Sequence, residues 1–90
     1  MLHLLGFPAD RNDLFSLLLR TLNDDDDVVL LDEGLQWAAN KTAMAALRGI
    51  GRVALHQLGD TLQVDGVSMI TATDLVVLSE QHPACSSWYP

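Results

Sequence analysis

A small α/β domain, with a mainly parallel sheet of about four strands between layers of helix, is predicted by three features of the sequence. Short apolar runs alternate with stretches of helical period in the order β-α-β-α-β-α-β-α. The run Val28-Val-Leu-Leu31 is apolar throughout and β-branched at its start, as a strand covered on both faces should be. Ninety residues supply one hydrophobic core and not two, so the chain reads as a single domain over 1–90.

The first strand is Leu2-His-Leu-Leu5, closed by Gly6 and Pro8. Asn12 or Asp13 then caps a helix whose Leu14, Phe15, Leu18, Leu19 and Leu22 recur at helical period, with Arg20 near the end that favours a cation. Four consecutive aspartates, Asp24 to Asp27, read as a solvated turn leading into the second strand over 28–31. Gly34 ends that strand. From Leu35 to Arg48 the residues are mostly good helix formers, interrupted at Asn40-Lys41, which predicts a helix in two pieces with Thr42 as cap of the second.

Arg52-Val-Ala-Leu-His56 reads as the third strand, Gly59 to Gly66 as a short helix or turn, and Val67-Ser-Met-Ile70 as the fourth strand. Leu75-Val-Val-Leu78 fits a strand or a buried helix by periodicity alone, and Thr71 with Asp74 three residues on resembles a capping box that favours helix. Pro83 disfavours helix at His82, and the small polar residues after it predict an irregular path. Trp88 and Tyr89 need cover, so 82–90 reads as a docking tail that packs on its own domain or fills a partner's groove.

Hydrophobic residues make up 49% of the chain and aromatics 6%, so aliphatic side chains must build the core, and burial completed in an oligomer is expected. No apolar run approaches the roughly 20 residues of a membrane span. Met1 to Leu5 is too short for a secretory core, and a cytoplasmic location is expected. A net charge of −7, with five scattered basic residues, disfavours nucleic acid and anionic membrane as direct partners.

Functional residues in parallel α/β sheets usually sit at the C-terminal ends of strands, which here means Gly6, Phe7, Asp32 to Gly34, His56, Gln57 and Thr71. No nucleotide-binding glycine loop follows the first strand. The aspartate run lacks the alternate spacing of a calcium loop, and the three histidines share no metal-ligand spacing, so no metal or cofactor is expected. His56 is a candidate cleft residue; His82, Pro83 and Trp88 are candidate interface residues of the tail. Cys85 is a candidate nucleophile if His82, three residues earlier, or a helix N-terminus stabilises its thiolate; with Glu80 near and no Lys or Arg adjacent, a structural role is the competing reading.

Four segments in order resemble the DsrH/TusB family of sulfur-relay subunits. They are Met1-Leu-His-Leu-Leu5, Asp27-Val-Val-Leu-Leu-Asp-Glu-Gly34 before an alanine-rich helix, Leu58-Gly-Asp-Thr-Leu62 with Gly66, and His82-Pro83 with Trp88. The resemblance implies a DsrE/F/H-like fold and a heterohexamer with TusC/DsrF-like and TusD/DsrE-like subunits. It also implies a cytoplasmic relay that carries persulfide sulfur towards 2-thiouridine at the tRNA wobble position, with the catalytic cysteine in the TusD-like subunit. DsrH-like members carry a cysteine near the first helix, where this chain has Phe15-Ser-Leu-Leu-Leu-Arg20, so it sits on the TusB side.

Three functions are therefore expected in turn: a non-catalytic subunit of the relay, a persulfide carrier using Cys85, or a stand-alone homo-oligomeric module binding a ligand near Gly6, Gly34 and His56.

Overall fold

The computed structural model describes residues 1–50, 54–58 and 66–90. Five strands form one parallel sheet: β1 (Leu2–Leu5), β2 (Asp27–Leu30), β3 (Ala54–Leu58), β4 (Val67–Ile70) and β5 (Cys85–Trp88), in the spatial order β4, β3, β2, β1, β5. The domain is thus the small α/β fold with a parallel sheet, with one strand more than the sequence predicts. The fifth is the tail. Residues 85–88 run beside β1, with Leu2 opposite Cys85 and Leu5 opposite Trp88. Pro83 stops α3 without preventing extension, and small side chains on the following residues suit an edge strand, so the expected irregular path is wrong.

Side chains alternate across each strand. His3, Leu5, Val28, Leu30, Leu55, Gln57 and Val67 share one face, and Leu2, Leu4, Asp27, Val29, His56 and Leu58 share the other. The first face carries the core: its aliphatic side chains meet Phe15 and Leu18 of α1 (Asn12–Thr21), Trp37 of a 3-10 helix (Asp32–Ala39), and Met44 and Leu47 of α2 (Lys41–Arg48). Trp37 organises this layer. Its ring stacks on Phe15 at 4.4 Å and meets the edge of Phe7 at 5.8 Å, while Nε1 donates to the Phe7 carbonyl at 3.0 Å.

The connections from β1 through β2 towards β4 all step in one direction across the sheet. The return from β4 to β5 runs the opposite way, so right-handed crossover places its helix, α3 (Ala72–Gln81), on the other face. On that face Leu2 and Val29 are 1% and 0% exposed, yet no residue of α3 is itself buried.

The helix in two pieces is as expected, but Asn40 rather than Thr42 caps the second, its side-chain oxygen accepting from the Ala43 amide at 3.0 Å. Helix α1 begins without a side-chain cap, and Arg11 holds the capping position. Asn12 and Asp13 lie one turn-step inside, where the Asp13 carboxylate pairs with Arg11 at 3.2 Å. The capping box of α3 is present, Thr71 accepting from Asp74 and the Asp74 carboxylate accepting from the Thr71 amide. Strand β3 ends two residues later than expected, at Leu58, and the expected helix or turn over 59–65 lies outside the described residues. Among the described residues no helix is long and apolar enough to cross a membrane.

Candidate functional site

The aspartate run is where sequence reading and structure diverge most. Asp24 and Asp25 are exposed, and Asp25 takes a left-handed backbone (φ 68°) that turns the chain into β2. Asp26 is instead 5% exposed and Asp27 half-buried. The reason is partners. The Asp26 carboxylate accepts from the N-terminal ammonium at 2.8 Å, from His3 at 3.0 Å and from the Asn23 amide at 3.0 Å. Asp27 accepts from His56 Nε2 at 2.8 Å on one oxygen and from His82 Nε2 at 2.5 Å on the other.

All three histidines, far apart in sequence, are thus gathered by two adjacent carboxylates at the N-terminal edge of the sheet. Because neighbouring strand residues point to opposite faces, Asp26 serves the α1/α2 face and Asp27 the α3 face. His3 is fully buried, and its tautomer follows from its contacts: Nδ1 accepts from the Trp88 indole N–H at 3.1 Å, so Nε2 carries the proton given to Asp26. Trp88 is half-buried against the core and lies 6.2 Å from the His3 ring. Burial pushes both carboxyls up, but the hydrogen bonds outweigh it and hold them below the ordinary carboxylate range: His56 and His82 do this for Asp27, the N-terminal ammonium, Asn23 and His3 for Asp26.

His56 was expected at a strand end. It lies at the centre of β3, opposite Val29, and its ring reaches back to Asp27 because a 54–58 strand moves it inward by two positions. Its Nδ1 is buried and makes no hydrogen bond. The chemistry open to this cluster is proton-sharing and clamping: every Nε2 is committed to a carboxylate, and the clamp ties β1, β2, β3 and the α3–β5 turn together. Among the described residues no three His, Cys, Asp or Glu side chains are set to hold a metal ion.

Of the other candidates, Pro83 and Cys85 are exposed, Cys85 opening β5 on the edge of the sheet. His82, proposed to activate it, gives its Nε2 to Asp27. At the C-terminal edge, where function was expected, several of the described residues are buried or engaged within the chain. Phe7 and Gln57 are fully buried, and Thr71 caps α3. The Tyr89 ring lies on Gly6, where a Cβ would fall 2.4 Å from it, and its hydroxyl donates to Asp32 at 2.8 Å. That bond to a carboxylate raises the tyrosine's pKa. Asp32 has a positive φ of 51°, and Gly34 sits so close that a Cβ would lie 1.8 Å from the Leu5 carbonyl oxygen.

The Asp27–His82 and His3–Trp88 contacts were missed by sequence reading, although each joins residues it had singled out. The available signal was the pair of acidic residues directly before an apolar strand: a carboxylate at the first position of a parallel strand faces its neighbours' entering ends.

The structure is similar to the solution NMR structure of protein Tm0979 from Thermotoga maritima, with a TM-score of 0.57 at 20% sequence identity over 91% of this chain and 94% of that one. The likeness establishes the fold. No protein-family model matches the chain, and no curated protein matches it.

Proposed function

We propose that the chain is a non-catalytic subunit of a cytoplasmic sulfur-relay complex that supports 2-thiolation of the tRNA wobble uridine, assembled with TusC/DsrF-like and TusD/DsrE-like chains in a heterohexamer. The observation that carries the non-catalytic part is the setting of Cys85. It lies exposed at the edge of the sheet, and among the described residues no side-chain base hydrogen-bonds its thiol, the His82 Nε2 being directed to Asp27 instead. Support for the family comes from the way its segments interlock. Leu2–Leu5 and Asp27–Leu30 are the paired strands β1 and β2, Gly34 packs on the end of β1, and His82 and Trp88 return to Asp27 and His3.

The test is a native mass of the chain co-expressed with TusC-like and TusD-like proteins from the same genome. A two-of-each hexamer is expected. Deletion should lower wobble thiolation and Cys85→Ser should leave it near normal; separate species with unchanged thiolation would sink the reading. The exposure of Cys85 on an edge strand favours one second reading, a persulfide carrier, which rapid alkylation of Cys85 together with loss of sulfur transfer in Cys85→Ser would support.

A further inference from the structure

The middle turn of α3, Leu75-Val-Val-Leu78, is apolar all the way round, a pattern that belongs to a helix covered on every side. Only half of it is covered in this chain. Leu75 and Leu78 are half-buried towards the sheet, whereas Val76 and Val77 stand 55% and 47% exposed. At about 100° per residue they share the outer face of the helix with Thr73 and Glu80. Valine is a poorer helix former than alanine, so two valines on an exposed helical face weaken the helix that bears them and gain nothing within the chain.

Charge says what covers them. The charged side chains of α3 and β5 are Asp74 and Glu80, both exposed and both acidic. The basic residues among those described, Arg11, Arg20, Lys41 and Arg48, belong to the start of α1, to α1 itself and to α2, the layer on the opposite face of the sheet. A second copy docking here would set acid against acid in a chain of net charge −7.

We propose that the outer ridge of α3 is a docking surface for a partner protein that presents an apolar helix rimmed by lysine or arginine. Val76 and Val77 form its apolar centre, and Glu80 and Asp74 its acidic rim. Burying two valines between helices recovers the helix propensity they sacrifice, and the rim selects the partner's sign. The inference stands whether or not the relay reading does.

The test is titration of the full ¹⁵N-labelled chain with two synthetic helical peptides that share one leucine stripe, rimmed by lysine in one and by glutamate in the other. The lysine peptide is expected to shift amides of α3, to bind at least about tenfold more tightly than the glutamate peptide, and to weaken with salt. Val76→Ser with Val77→Ser should cut its affinity by about tenfold or more at unchanged charge. An intact amide spectrum verifies the variant's fold, and Val77→Thr alone serves if the pair unfolds. Absence of binding, equal binding of both peptides, or binding that survives the serine substitutions overturns the proposal. So does a dimer of the chain alone, seen by sedimentation, that the same substitutions dissolve.

Discussion

At the scale of single residues, the tightest constraints lie where backbone meets backbone or where one carboxylate serves two partners. Gly34 is required by proximity alone: a methyl group there would overlap the Leu5 carbonyl. Gly34→Ala should therefore cost at least about 2 kcal/mol, read as a lower urea midpoint with unchanged slope. Asp27 is the other such position. Its folded pKa and that of Asp26 are lowered, so their contribution is complete above the unfolded carboxylate value and is lost as pH falls through the lowered folded values. Urea midpoints should thus hold level down to about pH 4 and fall below it. Asp27→Asn should cost about 2 kcal/mol at neutral pH and flatten that acid limb. An acid limb as steep in the variant as in the parent would mean that other carboxylates set it. The close approach at Gly34 was invisible in the sequence because it depends on which strand end lies underneath. The Asp27 bridge was equally hidden: a run of like charges signals solvent, and only the fold brings His56 and His82, 29 and 55 positions on, to the last of its members.

Among the elements, legibility follows how local the determining physics is. The capping box of α3 is set by residues three apart, and it was readable directly as Thr71 with Asp74. The break at Asn40 was readable too, while the choice of Asn40 over Thr42 as cap depends on a 3-10 helix ending at Ala39, which hydrophobic period does not announce. Strand β5 was missed for a third reason. Cys85-Ser-Ser-Trp88 has no apolar alternation to mark it, and its pairing partner is at the other end of the chain. Because α3 has no buried residue, its cap bears more of its stability than a cap normally would. Thr71→Ala should cost about 1 kcal/mol and act locally. Amide hydrogen exchange in the first turn of α3 is expected to quicken about fivefold while β1 and β2 keep their protection; uniform loss of protection would mean that α3 and the sheet open together.

For the whole molecule, the fold class was legible because alternating strand and helix patterns with a right-handed crossover leave few arrangements open, and β1 to β4 fall in the predicted order. Where the clamp sits was not legible, since fold analogy points to the C-terminal strand ends and the histidines meet at the other edge. The tail takes part in the sheet through β5, residues 85–88, and its flanking residues add further ties. Ala84 and Trp88 accept the Leu2 and Gly6 amides, the Trp88 indole satisfies the buried His3, and Tyr89 covers Gly6. Removing residues 84–90 would strip β1 of one neighbour and leave the buried His3 Nδ1 without its donor. The truncated chain is expected to lose near-UV circular dichroism and its cooperative urea transition. Trp88→Phe, which keeps the strand and deletes only the donor, should cost roughly 1–3 kcal/mol and retain a single transition. The comparison separates two roles for the tail. If the truncated chain unfolds with the parent's midpoint, the segment is dispensable for folding and free to serve a partner; if cooperativity is lost, β5 holds the domain together and docking falls to other surfaces.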